Sequence, residues 1–160
     1  MFGPRRMTEI LFYHLERRGL DDVLPGLVEK TLERGWRAIV KAESAERAQA
    51  IDNLLWTYND HTFLPHAQAG DGDPALQPVL ITVEAGIPND AHVLFLVGGA
   101  EPPAWEKNEA KSLTRIVLMF DGRDPDAVQT ARLSWRDAKE AGHDVTYWKE
   151  TPAGKWEKQA

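Results

Sequence analysis

Apolar residues fall into short unbroken runs, separated by stretches where they recur every three or four positions. That alternation predicts strands interleaved with helices. Thr8 to Tyr13 (TEILFY) is short, β-branched and aromatic, the make-up of a buried first strand. Leu20, Val23, Leu24, Leu27, Val28 and Leu32 follow at helical spacing, with Asp21 and Asp22 at the positive end of the helix dipole. Pro25 suits this helix only if it falls in the first turn. Gly35 stops the helix, and Trp36 to Lys41 reads as a second strand. Ser44, without a full capping box, caps a helix carrying Ala48, Ile51, Leu54 and Leu55. Strand, helix, strand, helix in this order predicts crossover connections and a parallel sheet.

Trp56 to Pro78 breaks the pattern: its Asn, Asp, Gly and Pro clusters are turn chemistry, and an irregular segment is expected there. Val79–Val83 and His92–Val97 resume as strands, and Trp105–Ser112 reads as a short polar helix. Arg115 to Phe120 (RIVLMF) has the near-continuous apolar run of a central strand covered on both faces. A last long helix is expected from Pro125 to Ala141, with Asp124 as N-cap and Gly142 as stop, followed by a strand over Asp144–Lys149. Pro152-Ala153-Gly154 can turn that strand back through Lys155–Lys158. The expected organisation is one α/β domain over residues 8–150. A flexible extension precedes it at 1–7, with Met7 an equally good start, and a tail or hairpin follows at 151–160.

Composition narrows the chemistry. The chain of 160 residues has no cysteine, which excludes disulfides, thiolate zinc sites and cysteine nucleophiles. A net charge of −6 leaves no overall basic field to hold a polynucleotide. No apolar run approaches a bilayer span, and a cytoplasmic protein is expected. None of the five histidines sits in a Gly-x-Ser-x-Gly elbow or a His-Glu-x-x-His helix. His61 and His66 share a loop with Asp60, Asp71 and Asp73, so a small nucleotide- or metal-binding α/β enzyme using that loop is the alternative reading. No dinucleotide or Walker-type glycine loop follows any predicted strand, and no cofactor is expected.

Two features carry more. Trp56 and Phe63-Leu64-Pro65-His66 put aromatic and apolar groups next to a loop, where they either plug the core or meet a partner. On the last helix Val128, Ala131, Trp135 and Ala138 form an apolar stripe, and Arg132, Arg136 and Lys139 form a basic row beside it. That row is either a solvated flank paired with Asp137 and Glu140 or a ledge for an acidic peptide or free carboxylate.

These segments resemble the chi subunit of bacterial DNA polymerase III, an accessory protein of the clamp loader. The likeness rests on Leu11-Phe12-Tyr13-His14-Leu15, Gly35-Trp36-Arg37-Ala38, Asp52 to Trp56, Phe63 to His66, Phe120-Asp121-Gly122 and Lys139 to His143, in the expected order. The resemblance implies a Rossmann-like, mostly parallel sheet flanked by helices, without a nucleotide-binding loop and without catalysis of its own. It implies two partners: the acidic C-terminal tail of single-stranded-DNA-binding protein, and the psi subunit or another clamp-loader subunit, with DNA engaged only indirectly. By the same resemblance Arg132 would meet the tail's terminal carboxylate and Trp135 would wall a pocket for its last phenylalanine. Trp56 and Phe63, with Pro65 and His66 shaping their loop, would face psi or the clamp loader. Arg136 and Lys139 come from helix geometry alone. Relative to the better-known members, Val128 replaces a lysine and Trp135 a tyrosine, which thins the basic ledge.

Overall fold

Glu9–Leu15 forms β1, a strand carried two residues further than its β-branched start suggests, so that His14 and Leu15 stand in the sheet. The computed structural model describes residues 8–58, 65–105 and 108–160. The chain continues through α1 (Leu20–Glu33), β2 (Ala38–Lys41) and α2 (Ala45–Thr57). After β3 (Ala67–Gln68) and a 3-10 turn at Pro74–Leu76 come β4 (Val79–Thr82), β5 (Val93–Val97) and α3 (Asn108–Ser112). It closes with β6 (Arg115–Asp121), α4 (Pro125–Glu140), β7 (Asp144–Glu150) and β8 (Trp156–Lys158). Among the described residues these strands make one eight-stranded sheet in the order β3-β4-β2-β5-β6-β1-β7-β8. Every pairing is parallel except the terminal β7–β8 hairpin.

Alternate strand residues feed two cores. On one face α1 and α2 bury Val23, Leu24, Val28, Ile51 and Leu55 against Val40, Ile81, Phe95 and Val117. On the other, α4 lays Ala131 and Ala138 over a floor that includes Ile10, Phe12, Leu94 and Ile116. The mostly parallel α/β sheet flanked by helices is therefore as the element order predicts. Because α1 leaves β1 on one face and α4 leaves β6 on the other, the carboxyl ends of these neighbouring strands form a crevice.

Caps follow the sequence closely. Asp124 accepts from the backbone N–H of Asp126 at 3.0 Å, Ser44 accepts from that of Arg47 at 3.1 Å, and Asp22 reaches back to the N–H of Gly19 at 3.2 Å. Two expectations need correction. Pro25 is the sixth residue of α1, in its second turn, and forgoes a hydrogen bond to the carbonyl of Asp21; its ring is buried in exchange. Nor is the stretch from Trp56 to Pro78 irregular throughout, since Trp56 and Thr57 end α2 and Ala67–Gln68 pairs with β4. A two-residue strand takes its structure from its partner's edge and leaves no local signal.

The terminal hairpin is fastened from the opposite side of the sheet end. Trp156 packs edge-on to Tyr13 at 4.9 Å, and Arg18 Nε donates to Glu150 Oε2 at 2.5 Å. The Glu150 side chain is wholly buried. Burial alone would raise its pKa, but hydrogen bonds from the Arg18 side chain and backbone, together with the guanidinium charge, hold it below the usual carboxylate range. A depressed folded pKa gives stability that is present above the ordinary value of about 4.3 and is lost as pH falls through the lowered one. Urea unfolding of Glu150→Gln should therefore show a shallower loss of stability on acidification than the parent. Superimposable acid limbs would remove Glu150 from the account.

Candidate functional site

Helix α4 rests on the sheet through a narrow stripe, and the stripe's largest member, Trp135, stays half-buried. Its indole stacks over Phe12 with centroids 6.5 Å apart and planes 27° off parallel. Phe12 and His14 sit two apart on β1 and so point to this same face. Parallel register sets Tyr147 of β7 beside Phe12 and Phe120 of β6 beside His14. The result is a shelf of aromatic rings on either side of β1: His14 to Phe120 at 5.3 Å, Phe120 to Tyr147 at 5.9 Å and Phe12 under Trp135.

Polar contacts fix the shelf. His14 Nδ1 and the Tyr147 hydroxyl share a 2.6 Å hydrogen bond, His14 Nε2 meets Glu16 Oε1 at 3.1 Å, and Lys149 Nζ reaches the same carboxylate at 3.4 Å. A side chain at Gly122 would run into the His14 ring, so bare glycine lets the imidazole lie against the β6–α4 turn. The Tyr147 phenol titrates above its ordinary value because burial disfavours the phenolate. The Arg132 charge opposes that rise and Glu16 adds to it, which places Arg132 within electrostatic reach of the shelf.

Of the residues singled out on α4, Arg132 and Arg136 are exposed one turn apart, and Lys139 holds its Nζ 4.8 Å above the Trp135 ring. Among the described residues no ion pair joins Arg132, Arg136 or Lys139 to Asp137 or Glu140, so the flank is not self-neutralised. Arg132, Trp135 and Lys139 thus gather at one place, with Arg136 on the solvent side. Sequence reasoning missed the shelf partners Phe12, His14, Phe120 and Tyr147. The alternation of Phe12 and His14 was available as a signal, but the pairing of β1 with β7 was not.

The second group lies across the sheet. Trp56, at the end of α2, is 52% exposed, the largest aromatic so presented among the described residues. Its ring leans on buried His66 at 4.6 Å, and His66 Nε2 meets Asp52 Oδ1 at 3.3 Å. Pro65 is exposed beside them; Phe63 and His61 lie outside the described residues. Among the described residues no three His, Asp or Glu side chains are grouped to hold a metal, and Asp73 is engaged in capping the 3-10 turn through Ala75 N–H at 3.0 Å. The other histidines are structural: His92 Nδ1 accepts from Arg37 N–H at 3.1 Å, and His143 Nε2 lies 2.6 Å from the Trp105 carbonyl.

The crevice at the strand ends encloses about 730 Å³, the place where α/β sheets commonly take ligands. Its guanidiniums are already committed: Arg47 to Glu43 at 3.0 Å, Arg123 to Asp121 at 3.1 Å and Arg18 to Glu150. Asp124 occupies the first amides of α4, and the Glu43 carboxylate lies hard against Gly98. Internal carboxylates thus already pair with these guanidiniums and with the first amides of α4. Among the described residues no helix is long and apolar enough to cross a membrane.

Comparison with known proteins shows the family. The family model described as DNA polymerase III chi subunit, HolC, matches residues 7–146. A curated relative, "Probable DNA polymerase III subunit chi" of Rickettsia prowazekii (strain Madrid E), is 26% identical over 117 residues, 72% of this chain and 71% of the relative. Arg132, Trp135, Trp56 and His66 all fall within the span matched by the family model, and β8 follows it.

Proposed function

The chain belongs to the DNA polymerase III chi subunit family, a replication accessory family, and we propose that it is a non-catalytic adaptor joining the clamp loader to the acidic C-terminal tail of single-stranded-DNA-binding protein. The observation that carries this reading is the unneutralised row Arg132, Arg136 and Lys139 beside half-buried Trp135, on a chain of net charge −6. A phenylalanine ring at the end of an acidic tail would lie on the shelf between Trp135 and Tyr147, and its carboxylate would pair with Arg132. The tail's aspartates would follow toward Arg136 and Lys139. Trp56 with Phe63, Pro65 and His66 is the surface assigned to psi or another clamp-loader subunit. Helices α2 and α4 cover opposite faces of the sheet, so both surfaces can be engaged at once, as an adaptor requires. The role is cytoplasmic, with DNA reached only through the partners.

Titration with a fluorescent peptide copying the acidic tail tests the reading. Binding on the order of micromolar, weakened by salt and lost when the final phenylalanine is removed, is the expected result. Failure to bind either peptide would overturn the tail contact and leave the Trp56 surface as the working interface.

A further inference from the structure

The opposite end of the sheet, where β1, β5 and β6 begin, holds a cavity of about 200 Å³ under the last turns of α1. Phe95 and Val117 form part of its floor, while Lys30, Arg34 and Arg115 stand in its walls. Lys30 in the last turn of α1 and Arg34 at its C-cap are four residues apart and stand on the same side, where like charges repel. The helix dipole accounts for cations at this C-terminal end, but not for Arg115, which enters from the first position of β6.

Two guanidiniums converge on one indole: Cζ of Arg34 lies 5.1 Å and Cζ of Arg115 5.7 Å from the Trp36 ring. Arg115 Nη2 donates to Glu9 Oε2 at 3.1 Å, but its buried Nε has no hydrogen-bond partner. Lys30 and Arg34 make no ion pair among the described residues. Burial also raises the pKa of Tyr13, which shares this cavity, although the Arg115 charge works to lower it. Three cations facing one paired carboxylate and a buried N–H lacking an acceptor together describe a site built for an acceptor-rich anion.

We propose that this cavity binds a phosphate oxyanion, with Arg115 Nε as the inner donor and Arg34 and Lys30 supplying the balancing charge. The excess of two positive charges matches a phosphate dianion better than a single carboxylate, and guanidinium forks fit its oxygens. The cavity lies on the α1 face of the sheet, opposite α4, and none of its lining residues belongs to the tail contact.

Thermal unfolding of the full chain in sodium phosphate, against sodium chloride at equal ionic strength, tests the site. Phosphate should raise Tm with a saturable dependence on concentration, as a native-state ligand does. Because phosphate also stabilises proteins generally, the deciding comparison is Lys30→Gln/Arg34→Gln, whose replaced side chains are on the surface. The saturable increment should vanish in that variant while its melt in chloride stays near that of the parent. A short 5′-phosphorylated DNA oligonucleotide, set against its unphosphorylated copy, identifies the source. A variant-sensitive shift from the phosphorylated copy alone, at far lower concentration than free phosphate, assigns the oxyanion to a nucleic-acid end; potency equal to free phosphate assigns it to the free ion. A phosphate increment that matches chloride's, or survives in the double variant, overturns the site.

Discussion

Replacing Arg132 with alanine is expected to weaken binding of the acidic tail peptide by about 1.5–3 kcal/mol, roughly a 10- to 150-fold rise in Kd. The magnitude is that of a hydrogen bond to a charged group, and three features place Arg132 at its upper end. The guanidinium has no carboxylate partner among the described residues, so none of its pairing is already satisfied within the fold. Its charge reaches the half-buried Tyr147 hydroxyl, so it stands beside a surface from which a bound ring would exclude water. It also presents a planar fork, which lysine lacks, so Arg132→Lys should recover only part of the loss. Arg132 is exposed, and thermal stability should be nearly unchanged by either replacement. Arg136→Ala, further out on the solvent side, should cost less and lose its effect at high salt. Full affinity in Arg132→Ala would show that the carboxylate lies elsewhere.

The parts of this fold legible in the sequence are those set by local chemistry. Asp124, Pro125 and Gly142 mark the bounds of α4 because capping acts within one helical turn. The runs VLIT, VLFLV and RIVLMF declare strands because both faces of each are covered. What lay hidden is fixed by partners distant in the chain. His14 and Tyr147 are 133 positions apart, and only the placement of β1 between β6 and β7 brings them within 2.6 Å. No periodicity within β1 states which strands will flank it. The burial of Glu150 was equally invisible, since its partner Arg18 lies in the first β–α connection and hydropathy assigns both to solvent. The candidate site was therefore read as one helix face, and the sheet supplied its other half. Trp56 shows the same asymmetry: an aromatic beside a loop is legible in the sequence, but its packing against His66 depends on where the chain returns after α2.

The largest stability loss is expected from Phe12→Ala, about 3–5 kcal/mol, equivalent to a fall in Tm of roughly 6–20 °C for a chain this size. Phe12 has no solvent exposure and sits mid-strand in β1, hydrogen-bonded to parallel partners on both sides. A strand held between two neighbours cannot move to fill the space left by a ring, so the cavity persists and its cost adds to the lost apolar transfer. Trp135 lies over Phe12 on a helix whose buried residues are the small Ala131 and Ala138, so the space can be filled only if the Trp135 ring or α4 itself shifts inward. Leu133→Ala makes the matched control: Leu133 lies on the same helix but is 49% exposed, and its loss should stay within about 0.5 kcal/mol. Phe12→Leu separates support of the site from stability, because it keeps most of the volume while removing the stacked face beneath Trp135. If the shelf supports the tail pocket, this variant should remain folded at 25 °C yet bind the peptide more weakly. A Phe12→Ala loss below about 1 kcal/mol would mean that α4 settles onto the sheet without that ring, and the shelf would then not hold Trp135 in place.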